Sequence, residues 1–359
     1  MECTIRGIGT ALPEHTMSMD EAIQLSTDIV CRDEREARLV RTMFRRAGVQ
    51  KRHTCVPYTT AYEWAGPDAE PSSQPGKTTA ERMQVYAEHA GPLAKQAADN
   101  ALACAGVGPG EITHLITISC TGFEAPGVDI ELIEEMPLRR STERLHIGYM
   151  GCHGAINGMR AARGLALSDR SAKILMCAVE LCGLHYKFQW DPELILANAL
   201  FADGAAALVL EHDSPTSAPL CRVTATGSYL VPDSKETITW RVGNHGFEMA
   251  IASKVPDLIR DNLGLWLSEW LGSYGRSIES IGSWAVHPGG PRILQAVEDA
   301  LALEPAALAT SHEVLSECGN MSAPTVLFVL RRLLQRDAPR PCVMLGFGPG
   351  LMAEVALID

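Results

Sequence analysis

Three side chains and one glycine-rich turn carry the chemistry that this sequence can offer. Cys152 sits in YMGCHGAINGMRAA, between Gly151 and Gly154, where a strand-like pattern gives way to a helical one. Small flanking residues let a ligand approach the backbone closely. The positive end of a helix starting there favours the thiolate, the reactive form of cysteine. A strand-to-helix turn is also a known way to expose a nucleophile. Taken alone, the segment fits a buried core thiol equally well. His287 in WAVHPGG ends an apolar run and precedes Pro288, Gly289 and Gly290. It can hold a proton or donate a hydrogen bond near neutral pH, or be a satisfied loop histidine. Asn320 in SECGNMSAP stands just before an apolar helical run, where asparagine is also an ordinary N-cap. The GFGPG turn at 346–350 lacks the lysine and following helix of a phosphate loop. It reads as a tight hairpin that brings the backbone of Gly346, Phe347 and Gly348 close to a site.

These residues need strands and helices to hold them, and the chain alternates between the two throughout. Residues 79–106 form a long helical pattern stopped by glycine, and 113–120, 173–181, 204–212 and 281–286 read as buried strands. Residues 253–275, 291–303 and 322–335 read as helices, the first with Pro256 near its start. The apolar stretch 342–358 is cut by glycines and Pro349 into two short strands. Such alternation predicts sheets covered by helices. Residues 57–78, rich in proline and small polar residues, and 231–240 read as surface loops. A weak internal echo predicts two halves meeting near residue 215. In each half a strand leads to a turn with a reactive side chain, GCHGA or HPGG, and then to a helix.

The 359 residues carry 31 basic and 43 acidic side chains, a net charge of −12. This length suits one large domain or two fused ones. The charge makes nucleic acid and anionic membranes poor partners. Arg41, Arg45, Arg46, Lys51 and Arg52 form a local basic cluster that could hold one anionic ligand or simply be solvated. No apolar run of about 18 residues predicts a membrane span, and MECTIRGIGTALP lacks the features of a signal peptide. Eleven cysteines, an odd number without a framework, predict a reduced cytoplasmic protein. Cys104, Cys177 and Cys342 lie in apolar runs and read as small core residues.

Together these segments resemble the type III polyketide synthases, the chalcone-synthase-like group of the thiolase superfamily, over nearly the whole chain. The resemblance rests on GCHGA with Cys152, ALFADGAAALVL with Phe201, AVHPGGPRIL with His287, SECGNMSAP with Asn320, and GFGPGL. These occur in the family's order, with His287 and Asn320 separated by 33 positions. The resemblance implies a duplicated α/β thiolase fold in five layers, αβαβα, with Cys152 in a half spanning 1–215 and His287 and Asn320 in a half spanning 216–359. It implies a homodimer, acyl-CoA and malonyl-CoA as substrates, and no cofactor or metal. It makes Cys152, His287 and Asn320 a catalytic triad, with the Cys152 thiolate paired to protonated His287. It makes Phe201 a gatekeeper between the coenzyme A tunnel and the cavity, with Arg46, Lys51 and Arg52 on the coenzyme A phosphates.

The same resemblance places Cys120, Cys182 and His185 where plant members have threonines, and Met249 near a plant phenylalanine. Glu180 and Ser322 fall at positions that border the cavity. Cys120 could be a second reactive thiol or a small lining residue. This altered lining is similar to that of bacterial members that extend fatty acyl starters into alkylpyrones or alkylresorcinols. A ketoacyl-ACP synthase of the initiating type shares the triad. It carries HQAN-like residues around its histidine, where this chain has HPGG. A non-catalytic zinc or scaffold protein using Cys152, His153, Cys177, Cys182 and His185 would need spacings that fit no compact zinc pattern.

Overall fold

The computed structural model describes residues 3–66, 69–213 and 219–359. The strands are β1 (Cys3–Ala11), β2 (His15–Ser18), β3 (Lys51–Thr54), β4 (His114–Ser119), β5 (Glu143–Gly148), β6 (Lys173–Leu181) and β7 (Asp203–His212). They continue with β8 (Cys221–Leu230), β9 (Ile238–Gly243), β10 (Gly246–Ile251), β11 (Ser283–Val286), β12 (Cys342–Gly348) and β13 (Met352–Ile358). The helices are α1 (Met19–Val30), α2 (Glu34–Ala47), α3 (Thr60–Ala65), α4 (Thr79–Ala105), α5 (Val128–Glu135) and α6 (Gly154–Ser168). They continue with α7 (Pro192–Leu200), α8 (Val255–Gly272), α9 (Pro291–Leu301), α10 (Ala309–Cys318) and α11 (Thr325–Gln335).

Nine strands form one sheet in the order β11-β12-β13-β8-β1-β7-β6-β4-β5. The two halves of this sheet meet only where β1 pairs β8, through Cys3↔Val223, Thr4↔Arg222 and Ile5↔Cys221. Central strands such as β4 and β6 are apolar on both faces because helices cover both sides. One core lies between α4, α5 and the outer face of the first half, with Leu115, Leu175 and Cys177. A second joins α6 and α11 to the facing sides of both halves, through Ile116, Met176, Met344 and Ala356. A third lies between the second half and α8 and α9, with Trp284, Val343 and Leu345. Three cores between alternating helix and strand layers make the five-layer αβαβα arrangement. The sheet halves fold over α6 and α11, so the strand ends of β5 and β11, at opposite limits of the sheet order, come together.

Local signals explain the element ends. Thr78 caps α4 in a capping box with Glu81, and Gly106 ends it in the left-handed region at φ 64°. Three expectations need correction. The 57–78 stretch contains the helix α3, and the supposed loop 231–240 enters β9 at Ile238. Cys104 is exposed on the solvent face of α4, whereas Cys177 and Cys342 are buried. The expected boundary between halves, at 215–216, lies outside the described residues. Among the described residues, no helix is long and apolar enough to cross a membrane.

Candidate active site

Cys152 lies on the single turn Gly151–His153 between β5 and α6. Gly151 takes φ 71°, and a Cβ there would meet Pro349 Cδ at 2.5 Å. Glycine is therefore required both by conformation and by the close approach of the β12–β13 hairpin. His287 follows β11, and its N–H donates to Leu345 O of β12 at 2.7 Å. Asn320 lies beyond α10 and bridges to Phe201: its N–H donates to Leu200 O, and its carbonyl accepts from Ala202 N–H, both at 2.9 Å. It does not cap α11, whose N-terminal flank is Pro324. Its Oδ1 accepts from Ser322 N–H at 2.8 Å, and its Nδ2 lies 3.5 Å from Gly289 O.

These three side chains line one cavity, together with Cys120, Phe201, Met249, Ser322, Phe347 and Gly348. Both His287 ring nitrogens are buried without a protein partner among the described residues, so either can serve a substrate. Burial pushes the Cys152 thiol up to about 12 even though hydrogen bonds from Ser322 and Asn320 act in the other direction. Burial likewise pushes His287 down to about 3, with His153 adding to the effect. Neither group holds a charge by itself in this pocket. The charged form of either group therefore needs a hydrogen bond or an opposite charge beside it.

A second, largely apolar cavity adjoins the first. Cys182, Phe201, Trp240 and Met249 line both and form the wall between them. Trp240 is fixed by an Nε1–H bond to Cys120 O at 2.6 Å. His185 lines the second cavity, not the first. Its Nε2–H donates to Thr121 O at 2.6 Å and its Nδ1 accepts from Phe247 N–H at 2.9 Å, which fixes one neutral tautomer. The ring stacks on Phe247 at 4.3 Å, and burial pushes its pKa down to about 3. His185 and Trp240 thus pin the β9–β10 hairpin to residues 120 and 121.

Several expected site residues do other work. Arg52 is buried: its guanidinium donates to Asn198 O at 2.6 Å, Ala199 O at 2.8 Å and Phe201 O at 3.0 Å. It satisfies the carbonyls at the end of α7 and so positions Phe201, and it is not available to a phosphate. Arg46 and Lys51 are exposed, and Gly48, which ends α2, packs toward Pro291 at the start of α9. Glu180 lies behind the cavity wall. Its carboxylate accepts from Cys120 N–H, Thr121 N–H and the Thr121 hydroxyl at 3.0, 3.0 and 2.6 Å and so shapes the 120–121 turn. Burial nevertheless raises its pKa to about 7. Cys120 Sγ contacts Ser322 Oγ at 3.4 Å, and burial holds its thiol well above the usual range. Gly346 packs on His153 rather than on the cavity. Trp240 was not legible as a wall residue. Its alternation in ITWRV was the available signal, obscured by reading that stretch as a loop.

The pattern described as "Chalcone and stilbene synthases, N-terminal domain" matches residues 2–214, and the corresponding C-terminal domain matches 222–359. The chain belongs to this family. Type III polyketide synthases of this kind are acyltransferases that carry out decarboxylative condensation. The chain is 32% identical over 360 residues to the 1,3,6,8-tetrahydroxynaphthalene synthase of Streptomyces peucetius subsp. caesius, covering 99% of this chain and 92% of that one. It is 28% identical to the alpha-pyrone synthesis polyketide synthase-like Pks18 of Mycobacterium tuberculosis, covering 99% and 90%. Among solved structures, PKS-I from the brown alga Ectocarpus siliculosus superposes with a TM-score of 0.93 at 28% identity, covering 100% of this chain and 98% of that one.

Proposed function

We propose that this type III polyketide synthase loads a fatty acyl starter on Cys152, extends it with malonyl-CoA and cyclises it to an alkylpyrone or alkylresorcinol. The carrying observation is the largely apolar second cavity, divided from the catalytic one by a wall that includes Cys182, Phe201, Trp240 and Met249. Such a chamber suits an alkyl chain, whose burial contributes about 0.8 kcal/mol per methylene. The similarity to Pks18, an alpha-pyrone synthesis polyketide synthase-like protein, supports the same product class.

In the first step the Cys152 proton passes to His287 and the sulfur attacks the starter thioester carbon. Coenzyme A leaves as thiolate and takes that proton. Malonyl-CoA then binds with its thioester oxygen between the His287 Nε2–H and the Asn320 Nδ2–H. Carbon dioxide leaves, and the electron pair stays as an enolate on that oxygen. The enolate carbon attacks the acyl carbon on Cys152, and the sulfur departs as the chain transfers to coenzyme A. Two side-chain donors supply the electrophile, so this route calls on no cofactor or metal. Arg46 and Lys51, exposed at the end of α2 and the start of β3, are the basic residues that would meet the coenzyme A phosphates.

A homodimer fits the exposed edge strand β5, which pairs only with β4, and the exposed Phe123, Leu145, Tyr149 and Met150 near it. Eleven free cysteines fit a reducing, cytoplasmic setting.

A panel of acyl-CoA starters of graded length, with products read by mass spectrometry, tests the reading. Long alkyl starters should give the highest kcat/KM and pyrone or resorcinol masses. Exclusive use of malonyl-CoA or aromatic starters would overturn it. Trp240→Ala opens the wall between the cavities. Its products should shift toward longer acyl chains or additional extensions, with a kcat/KM change of about tenfold among starters differing by a few methylenes.

A further inference from the structure

We propose that His153 is a positioning residue for the condensation, a wedge that fixes the Cys152 turn against the strand that anchors His287. The inference rests on the roles of Cys152 and His287 given above. His153 directly follows the nucleophile, is buried, and begins a stripe on α6 that continues through Asn157 and Arg160. Positions four and seven residues on share one helix face.

The stripe ends on a buried carboxylate. Glu354 of β13 accepts from Asn157 Nδ2–H at 3.0 Å, from the Ser228 hydroxyl at 3.0 Å, and from Arg160 in an ion pair. The donor contact to Glu354 orients the Asn157 amide, so its Oδ1 faces His153. The Nδ1 of His153, 2.6 Å from that oxygen, therefore carries hydrogen. A chain of hydrogen bonds thus fixes both the rotation and the tautomer of an imidazole one residue from the nucleophile.

The other side of the ring meets β12. A Cβ on Gly348 would lie 2.4 Å from His153 Cδ2 and 2.6 Å from Nε2, and one on Gly346 would lie 3.3 Å from His153 Cβ. The two glycines leave the space that the imidazole fills. Between them Phe347 lines the catalytic cavity, as does Gly348. One residue earlier, Leu345 O holds the His287 N–H. One strand therefore carries the backbone anchor of His287, a wall of the cavity and the seat of His153. The ring transmits the placement of α6 to that strand.

Misplacement of reacting groups by about 1 Å can lower turnover about 10²-fold. His153→Ala removes the wedge and should lower kcat about 10- to 100-fold, with KM for both substrates within about twofold. His153→Asn returns a donor to Asn157 and should fall between His153→Ala and the native enzyme. Asn157→Leu keeps the ring but cuts its tie and should lower kcat by about tenfold. If His153→Ala does not fold, Asn157→Leu decides the matter. A native kcat in these variants below their thermal midpoints, or a loss confined to the midpoint, would overturn the proposal. Cys152→Ala serves as the control. An active Cys152→Ala enzyme defeats the reading of the site itself, whereas an inactive one beside a fully active His153→Ala defeats only the wedge.

Discussion

Cys152→Ala is expected to form no acyl-enzyme and to lose product formation by about 10³-fold or more, because the covalent route disappears with the sulfur. Incubation of the native enzyme with an acyl-CoA alone should add the acyl mass to the peptide bearing Cys152. Cys120 and Cys182 lie near enough to confuse a count of total thiols, since both line cavities that meet at the same wall. Peptide mapping is therefore required, and the acyl mass on either of those residues in the Cys152→Ala enzyme would assign them a catalytic part. The geometry argues against that outcome. Burial raises the Cys120 and Cys182 thiols well above the usual range. Cys152 is also pushed up, but it alone of the three follows a left-handed glycine at the start of a helix and receives help from both Ser322 and Asn320. Substitution by alanine should leave folding intact, since a thiol of this size makes a small apolar contact.

Cys152, His287 and Asn320 stand out in the sequence because each sits at a break in hydrophobic patterning, where glycine or proline ends a buried strand or opens a helix. Strands such as 173–181, apolar on both faces, predict a sheet covered by helices, whereas the five layers are implied by the family resemblance. Arg52 shows what was not legible. In sequence it is one more basic residue beside Lys51. In β3 side chains alternate, so Lys51 faces solvent and Arg52 points with Thr54 into the protein. Recognising a four-residue strand there would have placed Arg52 inside, where only backbone carbonyls could receive it. Glu180 raises the same difficulty from another direction. A carboxylate in an apolar strand suggests a cavity, but its partners are the N–H groups of residues 120 and 121, which no local pattern reveals. The wall formed with Trp240 depends on a hairpin folding across residues more than 100 positions earlier, a contact set by tertiary packing alone.

His287→Ala and Asn320→Ala are expected to reduce malonyl-CoA decarboxylation about 10²- to 10³-fold, the effect of removing one oxyanion donor. Their effects on acyl loading should differ from each other. Asn320 hydrogen-bonds the Cys152 thiol besides its proposed place on the thioester oxygen, so Asn320→Ala should slow loading, by less than it slows decarboxylation. The proposed mechanism gives His287 a second task, because burial otherwise denies Cys152 its charge. In His287→Ala no imidazolium remains to support the thiolate, so the pH at which Cys152 reacts with iodoacetamide should move upward relative to the native enzyme. The direction follows from the charge removed: a nearby cation lowers a thiol pKa, and its loss raises it. Carbon dioxide release from labelled malonyl-CoA, acyl mass on Cys152 and the pH profile of alkylation separate the tasks. Equal loss of loading and decarboxylation in Asn320→Ala would show that the asparagine acts chiefly through the nucleophile. An unchanged alkylation profile in His287→Ala would show that Ser322 and Asn320 alone sustain the thiolate.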